Sequence, residues 1–157
     1  MRGYEALSFR TAGLPDYELI SEMEKSCFNS FDIFKPHQLR RFIKNPAGSI
    51  ITDIITLGYN PIGWASYFTR SNSKLIRLYS ICIVPEFGGK GYAREYMKMR
   101  FSSLAGFKAM ILEVRVSNIK AIHLYEGLGF KLWKRLPGYY PDDEHGIRMI
   151  KNLEEPT

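Results

Sequence analysis

Apolar residues in the first third of the chain follow one strand-like and two helix-like patterns. Residues 6–11 alternate weakly between apolar and polar side chains, which predicts a first strand. After Asp16 the apolar positions recur at helical spacing and predict a helix that contains Leu19, Ile20, Met23 and Cys27 or Phe28. A second helix is predicted from Pro36, a residue suited to a first helical turn, because an apolar stripe follows at Leu39, Phe42 and Ile43.

The pattern changes to that of strands after Gly48. Segments 49–57 and 62–70 are β-branched and aromatic, and the turn residues 58–61 between them predict a hairpin. Segment 75–84 predicts a third strand, in which the odd-numbered residues share one face and the even-numbered residues share the other. Because both faces are largely apolar, this strand is predicted to be central and covered on both sides.

Strands and helices alternate in the second half of the chain. A glycine-rich turn at 88–91 leads into a helix near 91–104, and strands at 110–116, 130–135 and 147–151 flank a helix over 117–128 with Ser117 as its N-cap. This order predicts one α+β domain over 1–157, a three-layer α/β arrangement. In it, a mixed and mostly antiparallel central sheet carries helices on both faces.

Composition adds a basic charge balance to this picture. The 157 residues include 22 Lys and Arg against 16 Asp and Glu, a net charge of +6. A basic surface favours anionic partners such as nucleic acid, anionic lipid or a phosphorylated small molecule. No apolar stretch has the length of a membrane span and no secretory pattern opens the chain, so we expect a cytoplasmic protein without a membrane partner.

The cysteines and histidines point to neither a disulfide framework nor a metal site. Two cysteines are too few for a framework; Cys82 is expected in the core and Cys27 on a helix. The three histidines lack metal-ligand spacing, so no metal is expected.

The basic residues are scattered along the chain and no RNA-binding signature occurs, so direct binding of nucleic acid is not expected. A basic RNA- or ribosome-binding module with vestigial catalysis stays an alternative.

Two segments carry candidate chemistry. The turn at 88–91 would expose backbone N–H groups at a helix N-terminus, an arrangement that binds phosphate, although a purely structural turn is equally compatible with it. In the second segment Glu113 lies in an apolar strand, and Asn118 and Tyr125 are two helical turns apart on one helix face. These three side chains could share a pocket. Alternatively, Glu113 pairs with Arg115 or another basic residue and Tyr125 only packs.

Both segments resemble the motifs of the GNAT acetyltransferase superfamily. Residues 81–94 (ICIVPEFGGKGYAR) resemble its acyl-coenzyme A motif, and residues 112–130 (LEVRVSNIKAIHLYEGLGF) resemble the block that follows it. The pattern from Arg135 through GYYP to Met149, and the opening at 9–28, are similar to those of protein N-terminal acetyltransferases. The resemblance therefore covers nearly the whole chain.

The resemblance implies the GNAT fold, acetyl-CoA as co-substrate and two catalytic residues. Glu113 would act as general base, directly or through a water, with desolvation by its apolar strand as support. Tyr125 would protonate the departing sulfur, the N–H near Ile83 would polarise the thioester carbonyl and Asn118 would hold the pantetheine. The implied coenzyme A site consists of Ile81, Cys82, Ile83, Gly88, Gly89, Lys90, Gly91, Tyr92, Ala93, Arg94, Asn118 and Tyr125. Gly88 departs from the motif, which usually has Arg or Gln there, so affinity for coenzyme A is expected to be weaker.

The acceptor site is implied at the aromatic and acidic segments. Tyr139 and Tyr140 resemble the aromatic pair at the peptide entrance, with Phe31 and Phe34 opposite them and Glu113 between. The acidic residues at 142–144 would attract a cationic amine, or form an ordinary solvated turn. No residue is placed to form an acyl-enzyme, so transfer is expected to be direct, in a ternary complex. We expect protein or peptide N-termini as acceptors, with a small-molecule or polyamine acceptor as the alternative, and a monomer or weak homodimer.

Overall fold

The computed structural model describes residues 5–28, 32–45 and 48–154, and most of the predicted elements lie within two residues of their expected bounds. In chain order they are β1 (Leu7–Thr11), a 3₁₀ turn (Leu14–Asp16), α1 (Tyr17–Cys27), α2 (Pro36–Lys44), β2 (Ile50–Leu57), β3 (Asn60–Thr69), β4 (Leu75–Ile83), a 3₁₀ turn (Pro85–Phe87), α3 (Tyr92–Ser103), β5 (Ala109–Arg115), α4 (Ile119–Gly127), β6 (Lys131–Leu136) and β7 (Gly146–Asn152).

The seven strands form one mixed sheet in the order β1-β2-β3-β4-β5-β7-β6. All neighbouring pairs are antiparallel except β4 and β5, which are parallel. The predicted fold class is therefore confirmed, and so is the central position of β4. A parallel pair needs a crossover connection, and α3 supplies it between β4 and β5.

Each face of the sheet has its own hydrophobic core. On one face, α1 and α2 pack Ile20 and Phe42 against Trp64 of β3. On the other face, α3 and α4 belong to a core that includes Tyr96 and Tyr125. Helices thus cover both faces, and apolar burial on each side holds the layers together.

A β-bulge changes the direction of side chains halfway along β4. The register with β3 passes over one residue of β4, Tyr79. Before the bulge, Leu78 packs in the core on the α3 side; after it, Ile81 packs against that same core and Cys82 belongs to the core on the α1 side. The predicted split into odd and even faces is therefore wrong beyond Tyr79, because one extra residue inverts the alternation.

Two local predictions differ from the structure. The hairpin turn is tighter than the predicted 58–61, because Leu57 already pairs with Asn60 and Gly58 adopts a positive φ of 59°. The N-cap of α4 is Asn118 rather than Ser117, since the Asn118 side chain accepts a hydrogen bond from the Ala121 N–H at 3.2 Å.

A disulfide joins Cys27 at the end of α1 to Cys82 on β4, with their Cα atoms 6.1 Å apart. From the sequence alone, we expect a core cysteine and a separate helix cysteine. Cys82 is indeed buried. The bond forms because the bulge turns Cys82 toward the helix that carries Cys27, so the expectation of two unlinked cysteines is corrected.

Among the residues that the structure describes, no helix is both long and apolar enough to span a membrane.

Candidate active site

A cleft opens where β4 and β5 diverge. Their parallel ladder covers three pairs, from Leu75 with Ala109 to Arg77 with Ile111. Beyond these pairs each strand continues, to Ile83 and to Arg115, and the space between them is a cleft of about 710 Å³. Backbone groups along diverging strands are available to bind a ligand, which makes this the candidate site.

One end of the cleft is formed by the glycine-rich turn and the start of α3. Gly89 and Gly91 adopt positive φ angles of 72° and 82°, and a Cβ at either position would meet no atom within 4 Å beyond its chain neighbours. These glycines are needed for their backbone conformation, which leaves the N-terminus of α3 open to the cleft. The arrangement fits a phosphate group, since backbone N–H groups and the helix dipole both favour an anion there.

Ten of the twelve residues predicted to bind coenzyme A line this cleft. They are Ile81, Ile83, Gly88, Gly89, Gly91, Tyr92, Ala93, Arg94, Asn118 and Tyr125. The two helical turns between Asn118 and Tyr125 do bring both residues to the cleft.

Cys82 and Lys90 are the exceptions. The side chain of Cys82 points away from the cleft and forms the disulfide with Cys27, because the bulge in β4 inverts its direction. The Lys90 ammonium lies 5.7 Å from the centre of the Phe87 ring and does not line the cleft. Neither residue lines the cleft, and their assignment to the coenzyme A site stays a prediction.

Arg94 links two elements of the site. Its guanidinium donates a hydrogen bond to the Gly127 carbonyl at the end of α4, at 3.3 Å. A cation near a helix C-terminus also interacts favourably with the helix dipole. Arg94 thus connects α3 to α4 beside the cleft, a role that the motif resemblance did not include.

Glu113 lies in the middle of the cleft between two arginines. The Oε2 atom of Glu113 accepts a hydrogen bond from Arg77 Nε at 3.0 Å, and Oε1 accepts from Arg77 Nη2 at 2.5 Å and from Arg148 Nε at 3.0 Å. The surroundings of Glu113 are therefore charged as well as apolar, contrary to the expectation of an apolar strand alone. The alternative that Glu113 pairs with a basic residue is therefore confirmed, with Arg77 and Arg148 as its partners rather than Arg115.

The register of the sheet explains these partners. Arg148 of β7 is directly opposite Glu113 of β5, and Arg77 lies on β4 at the last pair of the ladder before the strands diverge. With its side chain only 8% exposed, Glu113 is held in one orientation, facing the cleft.

Tyr125 reaches the cleft from α4. Its side chain is buried and packs edge-on against Phe130, with ring centres 5.7 Å apart. Burial raises the pKa of Tyr125 to about 12, so its hydroxyl keeps its proton at neutral pH and can donate it. This is the protonation state that a general acid needs.

Aromatic residues form the other end of the cleft, as predicted for Phe34, Tyr139 and Tyr140. Phe34 stacks on Tyr79 with ring centres 5.4 Å apart, and Tyr139 and Tyr140 pack edge-to-face at 5.1 Å. Phe31, also predicted here, lies outside the described residues.

Two carboxylates of the acidic turn after the tyrosines are paired within the protein, although the turn itself is largely exposed. Asp142 and Glu144 both form ion pairs with Arg115, at 2.9 and 3.1 Å, and Arg115 also pairs with Asp32 at 2.7 Å. The structure therefore gives these two carboxylates a third role, a contact within the protein. Asp143 is exposed.

The roles of the arginines at this end of the cleft were not predicted from the sequence, in which Arg115 was considered only as a partner of Glu113. Arg77 shares a strand face with Tyr79 before the bulge, and Arg115 lies two residues after Glu113 on the same face of β5, so alternation alone could have indicated both. No local pattern could have indicated Arg148 or Asp32. The pairing of β5 with β7 brings Arg148 to the cleft, and the path of the loop after α1 brings Asp32 there.

Within the described residues, no group of three or more His, Cys, Asp or Glu side chains could hold a metal ion.

Comparison with known proteins agrees with this geometry. Over 111 residues the chain is 35% identical to an N-alpha-acetyltransferase of Saccharolobus solfataricus; this match spans 66% of each protein. The ribosomal-protein-S18-alanine N-acetyltransferase of Escherichia coli has the same fold, with a TM-score of 0.83, 21% identity and coverage of 97% of each chain. A spermidine/spermine N-acetyltransferase of Vibrio cholerae is also similar, with a TM-score of 0.77, 20% identity and coverage of 94% of this chain and 93% of that one.

The match to a defined family spans most of the chain. Residues 17–130 match the Acetyltransferase (GNAT) family. This range contains the glycine-rich turn, Glu113, Asn118 and Tyr125, and enzymes of the family use acetyl-CoA. The chain belongs to the GNAT acetyltransferase family.

Proposed function

We propose that this enzyme transfers the acetyl group of acetyl-CoA to the N-terminal α-amino group of a peptide or protein. The glycine-rich turn and the start of α3 would hold the phosphates of acetyl-CoA, and the aromatic end of the cleft would receive the acceptor. The thioester would then lie between Glu113 and Tyr125, which are predicted to act on the attacking amine and on the departing sulfur, respectively.

The chemistry needs two proton transfers and no covalent enzyme intermediate. The amine nitrogen attacks the acetyl carbonyl carbon, and Glu113 takes the proton that the nitrogen loses, directly or through a water. The carbon–sulfur bond then breaks, and Tyr125 gives its proton to the departing sulfur. The Tyr125 hydroxyl, which is protonated at neutral pH, is suited to the second role, and the two arginines hold the Glu113 carboxylate in place for the first.

The observation that carries the choice of acceptor is that arginines pair with the carboxylates that line the cleft, Asp32 and Glu113, and with those of the turn beside it. Glu113 pairs with Arg77 and Arg148, while Asp32, Asp142 and Glu144 share Arg115. A polyamine carries several separated cations and would need a row of carboxylates not already neutralised by arginine. A peptide N-terminus has one cationic amine followed by a neutral backbone, which suits this arrangement better. The name of the Saccharolobus solfataricus relative points the same way.

The test is an acceptor panel with the purified enzyme. Peptides that begin with Ala, Ser or Met are offered beside spermidine at equal concentrations, and the release of free thiol from acetyl-CoA is followed. We expect kcat/KM for at least one peptide to exceed that for spermidine by 10-fold or more. A preference for spermidine would overturn the proposal, and mass spectrometry of the product peptide must locate the acetyl group on the α-amine.

Substitution of the two catalytic candidates tests the mechanism. Glu113→Gln and Tyr125→Phe should each reduce kcat by ~10²-fold or more, the scale of a positioned acid or base. Glu126→Gln and Tyr59→Phe make the same chemical changes at exposed positions and should leave kcat unchanged. Near-normal rates in both cleft variants would show that the assigned roles are wrong.

A further inference from the structure

Two segments distant in sequence line the acceptor end of the cleft. The first is the α1–α2 loop, described from Asp32 onward, which presents Phe34. The second is the β6–β7 loop over 137–145, which presents Tyr139 and Tyr140. An acceptor that enters between them needs the two loops at a fixed separation.

Arg115 contacts both loops with one guanidinium group. Its Nε and Nη2 atoms donate to the two oxygens of Asp32 at 3.2 and 2.7 Å, a bidentate pair with the first loop. Its Nη1 atom donates to both oxygens of Asp142 at 2.9 Å and to Glu144 at 3.1 Å in the second loop. The guanidinium carbon also lies 4.2 Å from the centre of the Tyr140 ring.

The burial and geometry of Arg115 make this contact specific. The side chain is 12% exposed although it carries a full charge. Planar bidentate hydrogen bonds to a carboxylate require the guanidinium fork, which the ammonium of lysine cannot reproduce. The pKa of Asp142 is lowered by its hydrogen bonds from Arg115, so this carboxylate stays ionised, and paired, well below neutral pH.

Each loop has a second attachment that Arg115 does not provide. The Phe34 N–H donates to Glu24 of α1 at 2.9 Å, and Glu144 accepts from the Ser117 hydroxyl at 2.6 Å. Both loops are therefore anchored to their own side of the protein, and Arg115 makes ion pairs that join one side to the other.

We propose that Arg115 is a positioning residue that fixes the α1–α2 loop against the β6–β7 loop and so sets the width of the acceptor entrance. This inference rests on the proposed use of that end of the cleft by the acceptor. It makes no claim on the chemical step, because Arg115 acts through the loops rather than on the reacting atoms.

The experiment compares Arg115→Gln, Asp32→Asn and the double variant in two assays. The first measures KM and kcat for the best peptide at saturating acetyl-CoA, and the KM for acetyl-CoA. The second measures amide hydrogen exchange without ligands, with the N–H groups of Phe34 and Ser117 as reporters of the two loops. Arg10→Gln is the matched control, because Arg10 forms a comparable bidentate pair with Asp16 on the 3₁₀ turn after β1.

We expect Arg115→Gln to raise the acceptor KM by 10-fold or more, with less than a 3-fold change in kcat and in the KM for acetyl-CoA. Exchange should increase in both loops in this variant, and only in the α1–α2 loop in Asp32→Asn. The double variant should have the same acceptor KM and the same amide exchange as Arg115→Gln alone, since both changes break the same contact. Arg10→Gln should alter none of these values.

The outcomes separate this inference from the proposed function. Unchanged exchange in both loops, or an acceptor KM within 3-fold of the parent value, would overturn the role of Arg115. Faster amide exchange in the Arg115→Gln variant of an enzyme that acetylates none of the peptides would support the contact between the loops. It would refute instead the proposal that the acceptor is a peptide.

Discussion

Glu24 should make the stability of this protein fall as the pH rises through neutrality. Its side chain is fully buried on α1; Oε2 accepts a hydrogen bond from the Phe34 N–H at 2.9 Å, and Oε1 has no hydrogen-bond partner among the described residues. Burial raises the pKa of Glu24 from 4.5 to about 7; the Phe34 hydrogen bond opposes this rise and the charge of Asp32 adds to it.

The direction of the effect follows from proton binding. A carboxyl with a pKa of about 7 in the folded state, against the usual 4.5 of an unfolded chain, binds more protons when folded between these pH values. Its contribution is therefore fully present below about pH 4.5 and is lost as the pH rises through about 7. At 1.36 kcal/mol per pKa unit the complete loss is about 3 kcal/mol, of which about 2.5 kcal/mol falls between pH 5 and pH 8.

Glu24→Gln isolates this contribution, because the amide has the shape and neutral charge of the protonated carboxyl and can still accept from Phe34. Urea unfolding of the parent and the variant at pH 5, 6, 7 and 8 should show the stability difference growing by about 2.5 kcal/mol in favour of the variant. Glu22→Gln, on the exposed side of the same helix, should show the same dependence of the free energy of unfolding on pH as the parent. Parallel curves for Glu24→Gln as well would refute the assignment of a neutral buried carboxyl.

Two further predictions concern the disulfide and the glycine-rich turn. Reduction of the bond between Cys27 and Cys82, which are 55 residues apart, should lower the free energy of unfolding by about 4 kcal/mol in the chain-entropy model. Thiol titration and urea midpoints with and without reductant measure this, and a midpoint that reductant does not change would contradict it. Gly88 has an ordinary φ of −69°, and an added Cβ would lie 3.3 Å from the Pro85 carbonyl oxygen, so Gly88→Arg requires a shift of a few tenths of an ångström there. The arginine should then lower the KM for acetyl-CoA by about 10-fold, the value of one hydrogen bond to a charged group. An unchanged KM would mean that this position does not face the phosphates.

The location of the elements could be predicted from local patterns. Apolar residues at helical spacing gave α1 and α2, and alternating or continuous apolar runs gave the strands, because burial of one or both faces imposes those periods directly on the sequence. The family resemblance predicted that the glycine-rich turn, Asn118 and Tyr125 would meet at one cleft. Only the shared helix face of Asn118 and Tyr125 depends on nearby residues alone, because a helix repeats about every 3.6 residues.

Contacts between side chains of distant segments could not be predicted from the sequence. The bulge at Tyr79 reverses the second half of β4, and this reversal turns Cys82 toward Cys27 and away from the cleft. Glu24 occupies a position of the apolar stripe of α1, four residues after Ile20, but the pattern did not reveal how completely the fold would bury it.

The sequence by itself determined which elements form, the family and the residues at the cleft. The tertiary structure alone decided that Glu113 lies between Arg77 and Arg148 and that Arg115 joins two loops. Register and loop path set these contacts, and both are properties of the assembled sheet rather than of any local segment.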